Sequence, residues 1–123
     1  MEAAAIAIIL NKKNEVLLLK RMHPQKDFSG YWGFPGGALE GFEEPFDCAI
    51  RETKEETNLD IWHLRRVKKR ERNFLDVYTT RNFEGDIILS FEHTDYVWAS
   101  LEQLDNYKLI PGSKELIEKA LNL

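Results

Sequence analysis

Glu52, Glu55 and Glu56 sit within five positions of one another, in a stretch whose apolar residues recur at helical spacing. Successive helical residues turn by about 100°, so these carboxylates fall within an arc of roughly 100°, away from the apolar face. Packed this closely they repel, and each raises the proton affinity of the others. A bound cation reverses that penalty. Mg²⁺ is the expected one, because it prefers oxygen ligands, keeps several waters and shares the rest of its shell with substrate phosphates. Mn²⁺ can substitute for it. Such a cation neutralises phosphate charge and acidifies a water, and a nearby free carboxylate can take the proton. The expected chemistry is hydrolysis of a phosphoanhydride. Taken alone, the three residues equally describe a solvated helix surface, so their setting has to decide.

The element that must position them is a helix over Pro45–Thr57, with Phe46, Ala49, Ile50, Thr53 and Thr57 on its packing face. Pro45 suits the first turn, and Glu43, Glu44 and Asp47 complement the positive end of the dipole. Asn58 tolerates the left-handed conformation that ends a helix. Upstream, residues 3–10 and 15–21 read as buried strands joined as a hairpin through residues 11–14. Residues 23–37, with two Pro and four Gly, read as a long loop into the Gly36-Gly37 turn. Strands are expected at residues 61–70, 74–79, 86–91 and 95–99, with Asn82, Glu84 and Gly85 forming a turn. A helix over Ser113–Leu121, capped by Ser113, turns Leu116, Ile117, Ala120 and Leu121 inward. The fold class is α+β, a sandwich around a mixed sheet.

The 123 residues suit one domain, residues 1–123, and 43% hydrophobic with 31% charged residues describes a chain that folds by itself. A net charge of −4 argues against stable nucleic-acid binding, which neutralises many phosphates with Lys and Arg. The run Arg65, Arg66, Lys68, Lys69, Arg70 and Arg72 reads as a solvated strand face, with a phosphate or partner contact as the alternative. Cys48 is the single cysteine, so no intramolecular disulfide forms, and it is assigned to packing. His23, His63 and His93 are too scattered for a zinc site. A cytoplasmic location follows as the expectation. The apolar opening is too short to span a bilayer, so no membrane association is expected.

The stretch Gly37-x5-Glu43-x7-Arg51-Glu52-Thr53-x-Glu55-Glu56-x-Asn58-Leu59 strongly resembles the Nudix box, GX5EX7REUXEEXGU. Thr53 departs from the usual bulky aliphatic residue and Asn58 from the usual Gly, and neither change removes a ligand. Trp32-Gly33-Phe34-Pro35-Gly36-Gly37 resembles the family's lead-in loop. Residues 92–104, with Trp98 and then Leu101-Glu102-Gln103-Leu104, resemble its strand-to-helix segment. The resemblance implies the Nudix fold, an α/β/α sandwich with a mixed β-sheet. It also implies that Glu52 and Glu56 are metal ligands, Glu55 a further ligand, and Gly36 a ligand through its carbonyl. Either Glu52 or the downstream Glu92 would serve as base, Glu92 alternatively as ligand. Glu43 and Arg51 would form a salt bridge that, with Gly37, orients the loop against the helix. Arg21 stands where many members contact a substrate phosphate. Phe28, Trp32, Phe74, Tyr78 and Trp98 are candidates for stacking on a base, or core.

The implied activity is Mg²⁺-dependent hydrolysis of a nucleoside diphosphate-linked substrate. The leading substrate is a (d)NTP, oxidised ones included, split to nucleoside monophosphate and pyrophosphate as in the MutT-like branch. ADP-ribose and dinucleoside polyphosphates remain alternatives. ADP-ribose members often carry a Pro after the box, and none lies between Leu59 and Pro111; Tyr78 lies where dinucleoside-polyphosphate members tend to carry a Tyr. A non-catalytic nucleotide-binding regulatory module is the reading from another class. Retention of the box Glu residues and the lack of room for a partner domain speak against it. The partner is a small nucleotide, bound by a monomer or homodimer.

Overall fold

The computed structural model describes residues 2–23, 27–68 and 74–123. The chain runs β1 (Ala4–Ile9), β2 (Val16–Arg21), β3 (Trp32–Gly33), β4 (Gly36–Ala38), α1 (Pro45–Thr57), β5 (Asp60–Trp62) and β6 (Arg65–Lys68). It continues through β7 (Leu75–Thr80), β8 (Asn82–Glu84), β9 (His93–Ala99), a 3₁₀ turn (Leu101–Asn106) and α2 (Ser113–Leu121).

Side chains alternate across a strand, and here both faces are buried, so β1 and β2 read as continuous apolar runs. Ala5, Ala7, Ile9, Leu17 and Leu19 pack into one cluster with Cys48 and Ala49 of α1. Ile8, Leu10, Val16 and Leu18 pack into the other with Leu104 and with Ile117 and Ala120 of α2. The outcome is an α/β/α sandwich. Its main sheet has the order β4-β1-β7-β6, with β1 and β7 parallel and the other pairs antiparallel. A second sheet, β3-β2-β9, is antiparallel throughout, and β5 pairs with β8.

Several expectations need correction. The expected hairpin reduces to one bridge, Leu10 to Val16, although Asn11 does hold the turn by accepting the Lys13 and Glu15 N–H groups. Neither strand has an edge to spare, since β1 is flanked by β4 and β7, and β2 by β3 and β9. The expected loop over residues 23–37 contains β3 and leads into β4, and residues 24–26 of it lie outside the described residues. The expected strand over residues 61–70 breaks at His63, whose φ of 53° ends β5 and lets β6 join β7. Its last two positions, and Lys69, Arg70 and Arg72 of the basic run, lie outside the described residues; Arg65 and Arg66 are exposed. The turn expected around Asn82 and Glu84 is β8.

Residues 86–91 form no strand either. That segment closes the end of α1 instead. Ile88 N–H donates to the Thr57 carbonyl (2.9 Å) and Ser90 N–H to the Glu56 carbonyl (3.1 Å), while Asn58 Nδ2 donates to the Asp86 carbonyl (3.1 Å). The last carbonyls of a helix lack intrahelical donors, and this stretch supplies them.

Helix α1 keeps its expected bounds, with Pro45 in the first turn and Asn58 at φ 67°. Phe46, expected to pack inward, stands half-exposed at the open first turn, and Cys48 and Glu56 are buried instead. Helix α2 also keeps its bounds, but left-handed Gly112 is its N-cap, and Ser113 Oγ donates to the Ile110 carbonyl (2.6 Å). Among the described residues no helix is long and apolar enough to cross a membrane.

Thr53 is fully buried and its Oγ1 has no hydrogen-bond partner among the described residues. Burying an unpaired hydroxyl costs about 1–3 kcal/mol. Thr53→Val is therefore expected to stabilise the protein by about 1 kcal/mol, read as a higher urea midpoint at an unchanged slope.

Candidate active site

Strand β4 runs beside α1 and presents its glycines to the helix, where Glu52 and Glu56, one turn apart, face it. Glu56 is buried, and its Oε1 accepts the Gly36 N–H at 3.2 Å. Gly37 lies so close to Glu52 that a Cβ there would stand 2.6 Å from the carboxylate carbon. Burial pushes the Glu56 pKa up to about 9; a hydrogen bond with Glu52, and the charges of Glu52 and Glu92, push the same way, while the Gly36 N–H opposes. Glu56 thus keeps its proton at neutral pH in the absence of a cation.

Behind them Arg51 ties helix to loop. Its Nε and Nη2 grip Glu43 at 2.7 and 3.0 Å, Nη2 also donates to the Ala38 carbonyl (3.2 Å), and Nη1 reaches Glu52 (3.0 Å). This guanidinium holds the Glu43 carboxyl down at about 2. Cys48 Sγ donates to the Gly37 carbonyl (3.3 Å), and burial pushes its thiol up to about 11, far from a nucleophile at neutral pH.

A cleft of about 450 Å³ opens over this floor, and Glu52, Glu56, Glu92, Gly36, Gly37 and Arg21 line it together with Phe34 and His93. Glu55 does not join them. It is largely exposed and meets Arg51 Nη1 with both oxygens (3.2 and 3.1 Å), so the expected arc of three carboxylates divides into a cleft pair and a brace. Glu92 comes to the cleft on the segment that closes α1. Among the aromatic candidates, Trp32 packs edge-on against Tyr107, Trp98 stacks on Phe83, and Tyr78 is buried, so these belong to the core. Phe28 and Phe74 are half-exposed and outside the cleft lining. The sequence gives His93 no role beyond its dismissal as a zinc ligand, and Phe34 only a place in the lead-in loop.

Among the described residues no group of three His, Cys, Asp or Glu side chains is arranged to hold a metal ion. The donor chemistry nonetheless fits one. Glu52 and Glu56 form a close pair of carboxyls, with Glu92 near enough to add its charge, and all the donors are hard oxygens. A divalent cation would take the place of the proton on Glu56.

The profile of the NUDIX domain matches residues 1–120. The chain belongs to the Nudix family. It is 30% identical over 125 residues to the CTP pyrophosphohydrolase of Escherichia coli strain K12, covering 96% of this chain and 90% of that one. It is 28% identical over 125 residues to the 8-oxo-dGTP diphosphatase of the same organism, covering 97% and 95%. A MutT Nudix hydrolase from Burkholderia pseudomallei superposes with a TM-score of 0.81 at 22% identity, covering 96% of each chain, which establishes the shared fold. The protein is a Nudix pyrophosphohydrolase; members of the family use divalent metal ions and bind nucleotides.

The two glycines of this Nudix site should fail differently when substituted. The atoms nearest a Cβ at Gly37 are those of the Glu52 carboxylate, the far end of a side chain that can swing away. Gly37→Ala is expected to fold normally while losing roughly 10²-fold in kcat/KM, the scale expected when a reacting group moves by about 1 Å. A Cβ at Gly36 would stand 2.7 Å from Ile6 Cα and strike the Ala5 carbonyl oxygen, both backbone of the central strand. Gly36→Ala should destabilise by about 2–3 kcal/mol. Urea midpoints beside kcat/KM for both variants check the contrast.

Proposed function

We propose that this enzyme hydrolyses nucleoside triphosphates, oxidised ones included, to nucleoside monophosphate and pyrophosphate, with Mg²⁺ held by Glu52 and Glu56. The close carboxyl pair on the cleft floor, Glu56 buried and Glu52 partly so, carries this reading, because a chain has little reason to bring two acids together there without a cation to join them. The named substrates of the two E. coli relatives, both nucleoside triphosphates, support the substrate class. Mg²⁺ bound there supplies neutralisation of phosphate charge and a water of lowered pKa, and Mn²⁺ can replace it.

The protein's own groups do the rest. The Gly36 N–H fixes Glu56, and Gly37 leaves Glu52 the space it occupies. Arg51 holds Glu52 from behind, and Glu43 and Glu55 hold Arg51. Arg51 and the Gly37 backbone hold Glu52 on the cleft floor beside Glu56, so Glu52 serves as a ligand. Glu92, at the cleft edge, takes the proton from the attacking water. Arg21 meets the polyphosphate, and Glu55 steadies Arg51 rather than touching the reacting atoms.

The test is a panel of NTPs, dNTPs, 8-oxo-dGTP, ADP-ribose and dinucleoside polyphosphates, with and without Mg²⁺, products being identified by chromatography. Highest kcat/KM on a nucleoside triphosphate, with pyrophosphate released only when Mg²⁺ is present, is the expected result. Preference for ADP-ribose or a dinucleotide, or turnover indifferent to metal, would overturn the substrate assignment or the metal role respectively.

A further inference from the structure

The pairing of β2 with β9 contains one irregularity. From Val16 opposite Ala99 to Lys20 opposite Asp95 the register is regular, and Leu17 faces Trp98 while Leu19 faces Tyr96. Opposed residues of an antiparallel pair share a face, so Arg21 and the residue opposite it lie on the α1 side with Leu17 and Leu19. Regular continuation would set Thr94 opposite Arg21. The register shifts there instead, and Arg21 pairs with His93. A bulge of one residue reverses which side chains face which way beyond it. Accordingly His93 lines the cleft and Thr94 is exposed outside it.

The pair so delivered has unmet hydrogen-bonding capacity. Arg21 Nε and His93 Nδ1 are both buried, and neither finds a partner among the described residues. Buried polar atoms are nearly always paired, and exceptions call for an explanation such as a missing ligand. The two residues stand opposite each other and line one cleft, and an anionic oxygen accepting from both nitrogens would meet that unpaired capacity. Bulges are over-represented beside active sites, where they re-aim a side chain.

We propose that His93 is a substrate-binding residue, its Nδ1–H donating to a polyphosphate oxygen that Arg21 Nε–H also holds. The assignment rests on the triphosphate reading above and adds to it the group that works beside Arg21. Because Thr94 creates the bulge, the specificity lies in the register as much as in the residue.

Steady-state kinetics with CTP and Mg²⁺, and calorimetric binding of inorganic tripolyphosphate with Mg²⁺, should be measured for wild type, His93→Ala, His93→Asn and His93→Gln. An Asn amide occupies the place of Nδ1 and a Gln amide that of Nε2. His93→Ala and His93→Gln are expected to raise KM and weaken tripolyphosphate binding together by roughly tenfold or more, the scale of one hydrogen bond to a charged oxygen, with kcat changed little. His93→Asn should restore both. Unchanged tripolyphosphate affinity in His93→Ala, or equal impairment in the Asn and Gln variants, overturns the proposal. The Asn and Gln comparison stands even where His93→Ala loses stability, since both amides fill the space of the ring. Wild type inert on CTP would count against the triphosphate reading alone, because the tripolyphosphate measurement needs no turnover.

Discussion

Glu56→Gln is expected to lower kcat/KM by roughly 10²- to 10³-fold while leaving the fold intact. The residue is buried, takes the Gly36 N–H and abuts Glu52. Gln keeps the length of the side chain, and its amide oxygen can still accept the Gly36 N–H, so packing and that hydrogen bond survive. What is lost is the negative charge. A bound divalent ion provides several kcal/mol of transition-state stabilisation, at about 1.4 kcal/mol per tenfold in rate, and weakening its hold forfeits a large part of that. Far-UV circular dichroism should match wild type, and urea unfolding should remain a single cooperative transition. Near-normal turnover in a folded Glu56→Gln protein would remove Glu56 from the metal site.

In the absence of divalent cations the protein should lose stability as pH rises. Glu56 titrates near 9 when folded, against an ordinary value of 4.5. Between those values the folded state keeps a proton that the unfolded chain releases, so the slope of unfolding free energy against pH is negative. It reaches at most about 1.4 kcal/mol per pH unit, and levels off once the folded group also ionises. Adding Mg²⁺ should reverse the trend. At the proposed site the cation would displace the proton and bind only the folded state, stabilising it by about 2.7 kcal/mol when present at a hundred times its dissociation constant. Thermal melts across pH 5 to 9, with chelator and with Mg²⁺, read both effects. Glu56→Gln should flatten the slope and abolish the stabilisation by Mg²⁺, and a wild type whose melting ignores both pH and Mg²⁺ would contradict a buried Glu56 carboxyl that binds the cation.

How far the sequence could be read depended on whether a feature is decided locally. Both ends of α1 were legible because Pro45 and Asn58 act within a turn of themselves. The brace of Glu43 and Arg51 was legible through the family resemblance, and the structure shows it as a bidentate contact. Residues 86–91 misled because a short apolar run describes a strand equally well as a chain segment lending its amides to a helix end. The parting of β1 and β2 depended on four other strands occupying their edges, which no hairpin signal reveals. Glu55 was placed with its neighbours by helical angle and by the family resemblance, neither of which reveals the nearby guanidinium that decides where its carboxylate points. His93 lay beyond reach, since period-two reasoning fails at a register shift that only the partner strand exposes.

The segment that closes α1 also joins two parts of the chemistry mechanically. Ser90 N–H is fastened to the backbone carbonyl of Glu56, and two residues later the same segment carries Glu92 into the cleft. A fluctuation that breaks this link frays the last turn of α1 and withdraws Glu92, the proposed base, in one movement. Openings of this kind need less free energy than global unfolding. Heat should therefore silence the enzyme before it melts it, and the amides of Ile88 and Ser90 are the clocks on which that early failure would be timed by hydrogen exchange.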